Sequence, residues 1–430
     1  MDNNKKNNKE TRFWRAETIA FVCVMLFSWV FFARRGDTPV HIKWGEEMLM
    51  VEGSFFDKLK GVFLIKAFPL WHLLIQFVAR IAAGTLGLFG IAKDDLIFGY
   101  DMFDLCESSA AALLTAAFIT LTVYVTYRVM EYHLKGRLSN RQTLHFAMSM
   151  AVCGAIFIYG MYKTPYPIGC ITPNVWHNTT QIAVEPFAVA SFFLYLYAYD
   201  NRTALSAQTW RWKLSRYDCC MILFSVLMFV GALLKPSFFQ AFVPGLFVFC
   251  AVDVFSTRFK SLKFNLLTAA ALLPLGALGL LQFLSTFVDN ESTLSGGLAA
   301  GWLYVWHVFS DVPLVSLLLS AAFPLFVFAV LWRKIPGNSG IRLSLLTFVS
   351  GVGQYAVLYI KDAPFCADFI WGANISLRLL FIVAFIELIR AQDEMGCTKY
   401  RIGLGIFALH ILSGLGFFLY FLAKAGWELM

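Results

Sequence analysis

Long apolar runs separated by short polar stretches organise this chain. A helix needs about 20 mostly apolar residues to cross roughly 30 Å of hydrocarbon. Runs over 16–33, 69–90, 107–128, 144–162, 182–199, 217–234, 238–256, 264–287, 312–332, 343–360, 373–390 and 403–423 approach that length. The pattern predicts an all-α, polytopic helical membrane protein with about 12–13 transmembrane helices. A single membrane domain over 16–430 follows a polar, basic tail over 1–15. The runs lack the ten-residue alternating segments of an outer-membrane barrel. No small-x-small cleavage site follows the first run, since Arg34 and Arg35 do. That run is therefore expected to be a retained helix with a cytoplasmic N-terminus.

The polar stretches between runs predict sidedness, because Lys and Arg collect in short cytoplasmic loops. Basic residues gather in 129–143, 200–216, 257–263, 333–342 and 391–402, which places these five loops inside. The loops 34–68, 163–181 and 288–311 then lie outside. One inconsistency remains. A single crossing at 69–90 would put 129–143 outside. A thirteenth, short or re-entrant element within 54–106 restores agreement and leaves the C-terminus outside.

Composition sharpens the class. The chain has 430 residues, 59% hydrophobic and 14% charged, with mean hydropathy +0.67. Soluble domains are nearer half apolar and about 25% charged. The net charge of +8 does not imply nucleic acid, because no contiguous basic surface tracks phosphates. The nine cysteines are scattered without a CxxC spacing, so neither a zinc site nor a redox dithiol is indicated.

Polar residues on the external side are the candidate chemistry. Asp37 follows the first run closely, where a carboxylate can accept a proton from an attacking hydroxyl. The competing role is an N-cap for a helix over 40–51. Lys66 and Lys235 suit a phosphate, with interfacial snorkelling as the alternative. Asn174, Trp176, His177 and Asn178 form a segment able to stack on a sugar and bind its hydroxyls. The alternative for Trp176 is an interfacial anchor, the role also expected of Trp302 and Trp306. His41 and His72 are further candidates for substrate contact. No cofactor is implied. A divalent metal on those two histidines is the alternative weighed, although no HxxxH or HExxH pattern supports it.

The order Gly36-Asp37, His41, Trp44, Glu46-Glu47-Met48-Leu49, then Lys66 and Pro69-Leu70 resembles the GT-C class of glycosyltransferases. The nearest patterns are the protein O-mannosyltransferases and the bacterial aminoarabinose transferase of lipid A. The resemblance covers roughly residues 10–130. It matches Asp37 to the family's acidic position, where Thr38 replaces a second carboxylate. Lys66 and Pro69 match its basic-proline motif, with one proline absent. The Trp176-His177-Asn178 and Lys235-Pro236-Ser237 segments instead look like Wzy-type polysaccharide polymerases. The first resemblance implies a GT-C-like fold, and both imply glycosyl transfer at the outer face of the bacterial cytoplasmic membrane. The implied partners are a polyprenyl phosphate- or pyrophosphate-linked sugar donor, a glycan or lipid acceptor, and membrane lipids. With no P-loop and no Rossmann glycine pattern, direct use of a nucleotide sugar is disfavoured. Two other classes were weighed: a lipid-linked glycan transporter or flippase, whose repeats and midplane polar groups are absent from the sequence, and an acyltransferase using His410, the one deep histidine.

Overall fold

The computed structural model describes residues 15–28, 32–33, 36–97, 100–158, 161, 163, 168–208, 214–287, 297–361 and 363–427. The expected tail up to residue 14, Arg34 and Arg35, and parts of the external loops (164–167 and 288–296) lie outside the described residues. The protein is an all-α, multi-pass membrane protein.

Among the described residues, seven helices are long and apolar enough to cross a bilayer: Leu70–Gly87, Met102–His133, Thr179–Asp200, Arg216–Leu234, Ser237–Ser256, Pro364–Arg390 and Cys397–Ala423. Two bent pairs raise the number to nine if each is one span. These are Leu262–Ala271 with Leu273–Phe287, bent by 43°, and Pro313–Ser320 with Ala322–Val330, bent by 67°. Where the sequence predicts twelve or thirteen spans, seven to nine helices among the described residues meet this test of length and hydropathy. The first run yields the 12-residue helix Ala16–Phe27. The 144–162 run is helical only over Asn140–Val152. Ser339–Val357 carries Arg342, Gln354 and several hydroxyls, which lower its hydropathy. Two small antiparallel ladders complete the architecture, one pairing Leu96–Ile97 with Tyr100–Asp101. The other pairs Leu298–Ala300 with Leu358–Ile360, with Ala299 opposite Tyr359.

The basic loops meet at one end of the bundle. Arg137 contacts Asp393 at 2.5 Å, Lys334 contacts Glu394 at 2.6 Å, and Ser339 donates to Asp200 at 2.7 Å. Arg202 pairs with Asp253 at 3.2 Å. Helices leave this end on capping boxes at Ser139/Gln142 and Ser215/Asp218, which satisfy otherwise orphaned backbone donors. Arg141 pairs with Glu17 at 2.8 Å, so the Ala16–Phe27 helix also starts here.

That last contact bears on the path of the first part of the chain. The chain starts and finishes its passage from Glu17 to Arg141 at the same end. The Met102–His133 helix has 32 residues, about 48 Å at 1.5 Å per residue, and supplies the return. The connection before it includes two helices of different length. It holds Phe55–Ile65, 11 residues and too short to span. It also holds Leu70–Gly87, whose Trp71 packs on Phe118 and whose Arg80 lies over Phe103, antiparallel to Met102–His133. Residues 54–106 thus hold one helix too short to span and one counted among the seven long enough to do so. Trp302 is exposed, as an anchor would be, but Trp306 is buried and donates to the Gly169 carbonyl.

At the centre lies Ile370–Arg390, buried along almost its whole length. It holds the irregular stretches 153–158 and 168–178. Non-helical backbone at membrane depth is tolerated only where protein groups satisfy it. Arg378 Nε donates to the Pro173 carbonyl at 3.0 Å, and its guanidinium also meets Asn174 Oδ1 and Glu185 at 3.0 Å. Asn174 Nδ2 donates in turn to the Met150 and Cys153 carbonyls. Asn374 Oδ1 accepts from Thr172 N at 2.8 Å. From Cys397–Trp427, His410 Nδ1 meets the Gly154 carbonyl at 2.7 Å and Ser413 donates to the Ala155 carbonyl at 2.6 Å. There Gly154 and Gly414 approach so closely that a Cβ on either would collide with the other's backbone.

Removing one partner of a buried ion pair costs about 3–5 kcal/mol, because a desolvated charge is stranded. Arg378→Met is expected to lower the melting temperature in detergent sharply, and Glu185→Leu added to it to recover part of the loss. An Arg378→Met protein that melts like wild type would refute this bracing role.

Candidate functional site

Away from the basic loops, four helices begin around one site: Thr179–Asp200, Ser237–Ser256 and Ile370–Arg390 run from it toward those loops, and Leu70–Gly87 runs the other way. Two lysines occupy equivalent turns. Lys66 ends Phe55–Ile65 in extended backbone and is soon followed by Pro69, the cap of the next helix. Lys235 ends Arg216–Leu234, also extended, and Pro236 caps the next helix. A residue before proline is steered to the β region, which swings the Lys235 ammonium out of its helix.

Asn178 joins three of the expected residues. Its Nδ2 donates to Asp37 Oδ2 at 2.7 Å. Its Oδ1 accepts from Lys235 Nζ at 2.9 Å and from Gln181 N at 2.9 Å. It is thus the N-cap of Thr179–Asp200 as well as the bridge between acid and lysine. Lys235 Nζ also donates to Thr180 Oγ1 at 3.2 Å and lies 4.5 Å above the Trp371 ring centre. Asp37 N donates to the His177 carbonyl at 3.2 Å. This close approach needs Gly36, which has φ +61° and where a Cβ would overlap that carbonyl. Asp37 occupies the N-cap position of Thr38–Leu49, but its side chain bonds nothing in that helix. Its carboxylate is turned to Asn178 instead.

Lys66 is placed differently. Its ammonium lies 4.3 Å above the Trp44 ring centre and 4.9 Å above that of Phe68. Among the described residues it forms neither a hydrogen bond nor an ion pair. Trp44 also packs edge-on to His41 and His72. These two histidines, both buried, share a hydrogen bond of 2.9 Å between His41 Nδ1 and His72 Nε2.

A cavity of about 670 Å³ opens beside the lysines, within the 300–1,000 Å³ range typical of small-ligand sites. Lys66, Lys235, Asp368, Trp44 and Trp371 line its polar part, and Phe63, Leu64, Phe239, Phe283 and Phe287 its apolar part. Lys66 and Lys235 are thus brought to one cavity. Asp37, His177 and Asn178 stand behind Lys235, and His41 and His72 stand behind Trp44. Asn174 and Trp176 are elsewhere. Asn174 braces the Arg378 network, and Trp176 is buried against Phe418, with ring centres 4.7 Å apart. Among the described residues, no group of three or more His, Cys, Asp or Glu could hold a metal ion.

Asp368 and Trp371 were missed in the sequence. The loop between the runs 343–360 and 373–390 holds Lys361, Asp362 and Asp368, on the side that the charge pattern predicts to be external. The sidedness argument that flagged Asp37 therefore also reaches this loop.

Burial raises the Asp37 pKa above the usual carboxylate range, against the opposing pull of Lys235 and Lys66. Burial lowers that of Lys66, opposed by Asp368. It pushes Lys235 down to about 7, opposed by Asp37 and Asp368. His177 is pushed down to about 3 by burial and then by Lys235, and is neutral at physiological pH. Desolvation of the ammonium is the dominant cause for both lysines. An anion entering the cavity would counter it.

The sign for Lys235 follows from linkage. Its folded pKa of about 7 lies below the unfolded value of about 10.4, so unfolding takes up a proton between these values. The charged lysine costs stability below about pH 7, and the cost fades as pH rises toward 10. Melting temperatures should show wild type gaining on Lys235→Met as pH rises from 7 to 10. Parallel curves would contradict the burial of this charge.

No protein-family profile, no curated protein and no solved structure matches the chain.

Proposed function

We propose that the cavity binds a polyprenyl phosphate- or pyrophosphate-linked sugar and that the protein transfers this sugar to a glycan or lipid acceptor. One observation carries the reading. A single cavity joins an apolar wall to two lysines, one of them without a polar partner among the described residues. A half-buried ammonium held only by aromatic faces is costly unless an anion joins it. A phosphate carrying a long hydrocarbon supplies both missing partners.

In this reading Lys66 and Lys235 meet the charge that grows on the leaving phosphate, where stabilisation counts most. The apolar wall takes the first part of the lipid chain. Trp44 and Trp371, already under the lysines, offer flat faces for the sugar. The GT-C-like resemblance of residues 10–130 supports the same chemistry. So does the separation of the site from the basic loops. The charge rule would turn those loops to the cytoplasm, which supports a site at the outer face of a bacterial cytoplasmic membrane. Repeat-unit polymerisation is the same chemistry with a longer acceptor.

The two bent spans favour a second reading, since broken helices are common in transporters. Against it, neither break at Leu272 or Ala321 carries a charge, and the polar residues gather at one end rather than midway. A transporter would leave the sugar–phosphate bond intact.

Binding of farnesyl phosphate, with farnesol as the control, tests the phosphate clamp by thermal shift in detergent. Farnesyl phosphate should stabilise wild type and farnesol should not. Lys66→Ala and Lys235→Ala should each weaken binding about tenfold or more, as the loss of a charge-assisted contact of about 1.5–3 kcal/mol implies. Equal stabilisation by the alcohol, or lysine variants that bind like wild type, would eliminate the clamp.

A further inference from the structure

Two carboxylates lie near the lysines, and their surroundings differ. Asp37 is not among the residues lining the cavity, and its Oδ2 is occupied by Asn178. Asp368 lines the cavity. Its side chain is exposed although protein surrounds it, because the surface it shows faces the cavity. Among the described residues its carboxylate accepts no hydrogen bond and forms no ion pair.

The backbone holds Asp368 in place. The preceding residue, Ala367, is left-handed with φ +49° although it is not glycine. Such a conformation costs about 1–3 kcal/mol and persists only where neighbours enforce it. Here the short turn Pro364–Cys366 precedes it, and Ile370 N donates to the Ala367 carbonyl at 3.0 Å, starting the central helix. The strand Leu358–Ile360 anchors the other end of the segment. Asp368 is thus fixed between a ladder and the most buried helix of the molecule.

We propose that Asp368 takes the acceptor's proton, while Asp37 acts behind it as a positioning residue for Lys235. This rests on the glycosyl-transfer reading above. As the acceptor oxygen bonds to the anomeric carbon, its proton passes to an Asp368 carboxylate oxygen. The anomeric carbon–oxygen bond to the donor phosphate breaks, and its electron pair leaves on the phosphate beside Lys66 and Lys235. Asp368 then releases the proton to water in the cavity. Asp37 reaches this reaction only through Asn178, whose other amide atom holds the Lys235 ammonium. The charged and titratable groups acting on Asp368 or acted on by it are Lys66, Lys235, Asp37 and Cys366.

Two readouts on the full-length protein in detergent separate the roles. One is binding of farnesyl phosphate, and the other is its release from a panel of farnesyl phosphate sugar esters. Asp368→Asn should bind farnesyl phosphate within about threefold of wild type and lose about 10²- to 10⁴-fold in turnover, the usual contribution of a general base. Asp368→Glu should recover part of that turnover. Asp37→Asn should instead weaken farnesyl phosphate binding, because Lys235 loses its alignment. Undiminished turnover in Asp368→Asn would overturn the proposal. So would Asp37→Asn losing turnover with binding intact. A wild-type protein that binds farnesyl phosphate but releases it from no ester fails the glycosyl-transfer reading itself. Binding with turnover, but without the Asp368 effect, fails only the present assignment.

Discussion

The site depends on one guanidinium. Arg378 sits in the middle of the most buried helix, and its contacts reach a carbonyl, an amide and a carboxylate on two other parts of the chain. The irregular stretch that it grips ends at Asn178, and Asn178 aligns both Asp37 and Lys235. Chain without helical hydrogen bonds cannot lie against lipid. It can lie here because Arg378, Asn174, Asn374 and His410 supply the partners that a helix would have supplied itself. The residues at and behind the cavity are thus held from within the bundle, by polar groups that never meet the cavity.

This arrangement explains which parts of the sequence were readable. The charge asymmetry was, because it is a property of whole loops and needs no knowledge of contacts. Five basic loops were expected together, and side-chain contacts join them. Asp37, Asn178 and Lys235 were expected near one another on the same grounds, and they meet through hydrogen bonds. The roles of Asn174 and Trp176 were not readable. An amide that binds a sugar hydroxyl and an amide that binds a backbone carbonyl are the same residue type, and only the partner 204 positions away, Arg378, distinguishes them. Fewer helices than apolar runs meet the length test among the described residues, because an apolar run records burial, and burial inside protein looks the same as burial in lipid. The 144–162 run is largely apolar, yet its helix stops at Val152.

The histidines show the same ambiguity in smaller form. His41 and His72 are four and three residues beyond Asp37 and Pro69, a spacing that suggested contact with substrate or metal. They bond each other beneath Trp44. Their effect on the cavity passes through that indole, which carries the Lys66 ammonium on its face. His410 is likewise a brace for the Gly154 carbonyl.

The helix starts at the site have an effect independent of any side chain. Peptide dipoles in each helix sum to about half a positive charge at the N-terminus. Leu70–Gly87, Thr179–Asp200, Ser237–Ser256 and Ile370–Arg390 all direct that end toward the same region. Their summed field does not titrate. When Lys235 gives up its proton near neutral pH, the region keeps a positive potential fixed by the fold, so its attraction for anions is graded by pH rather than switched off.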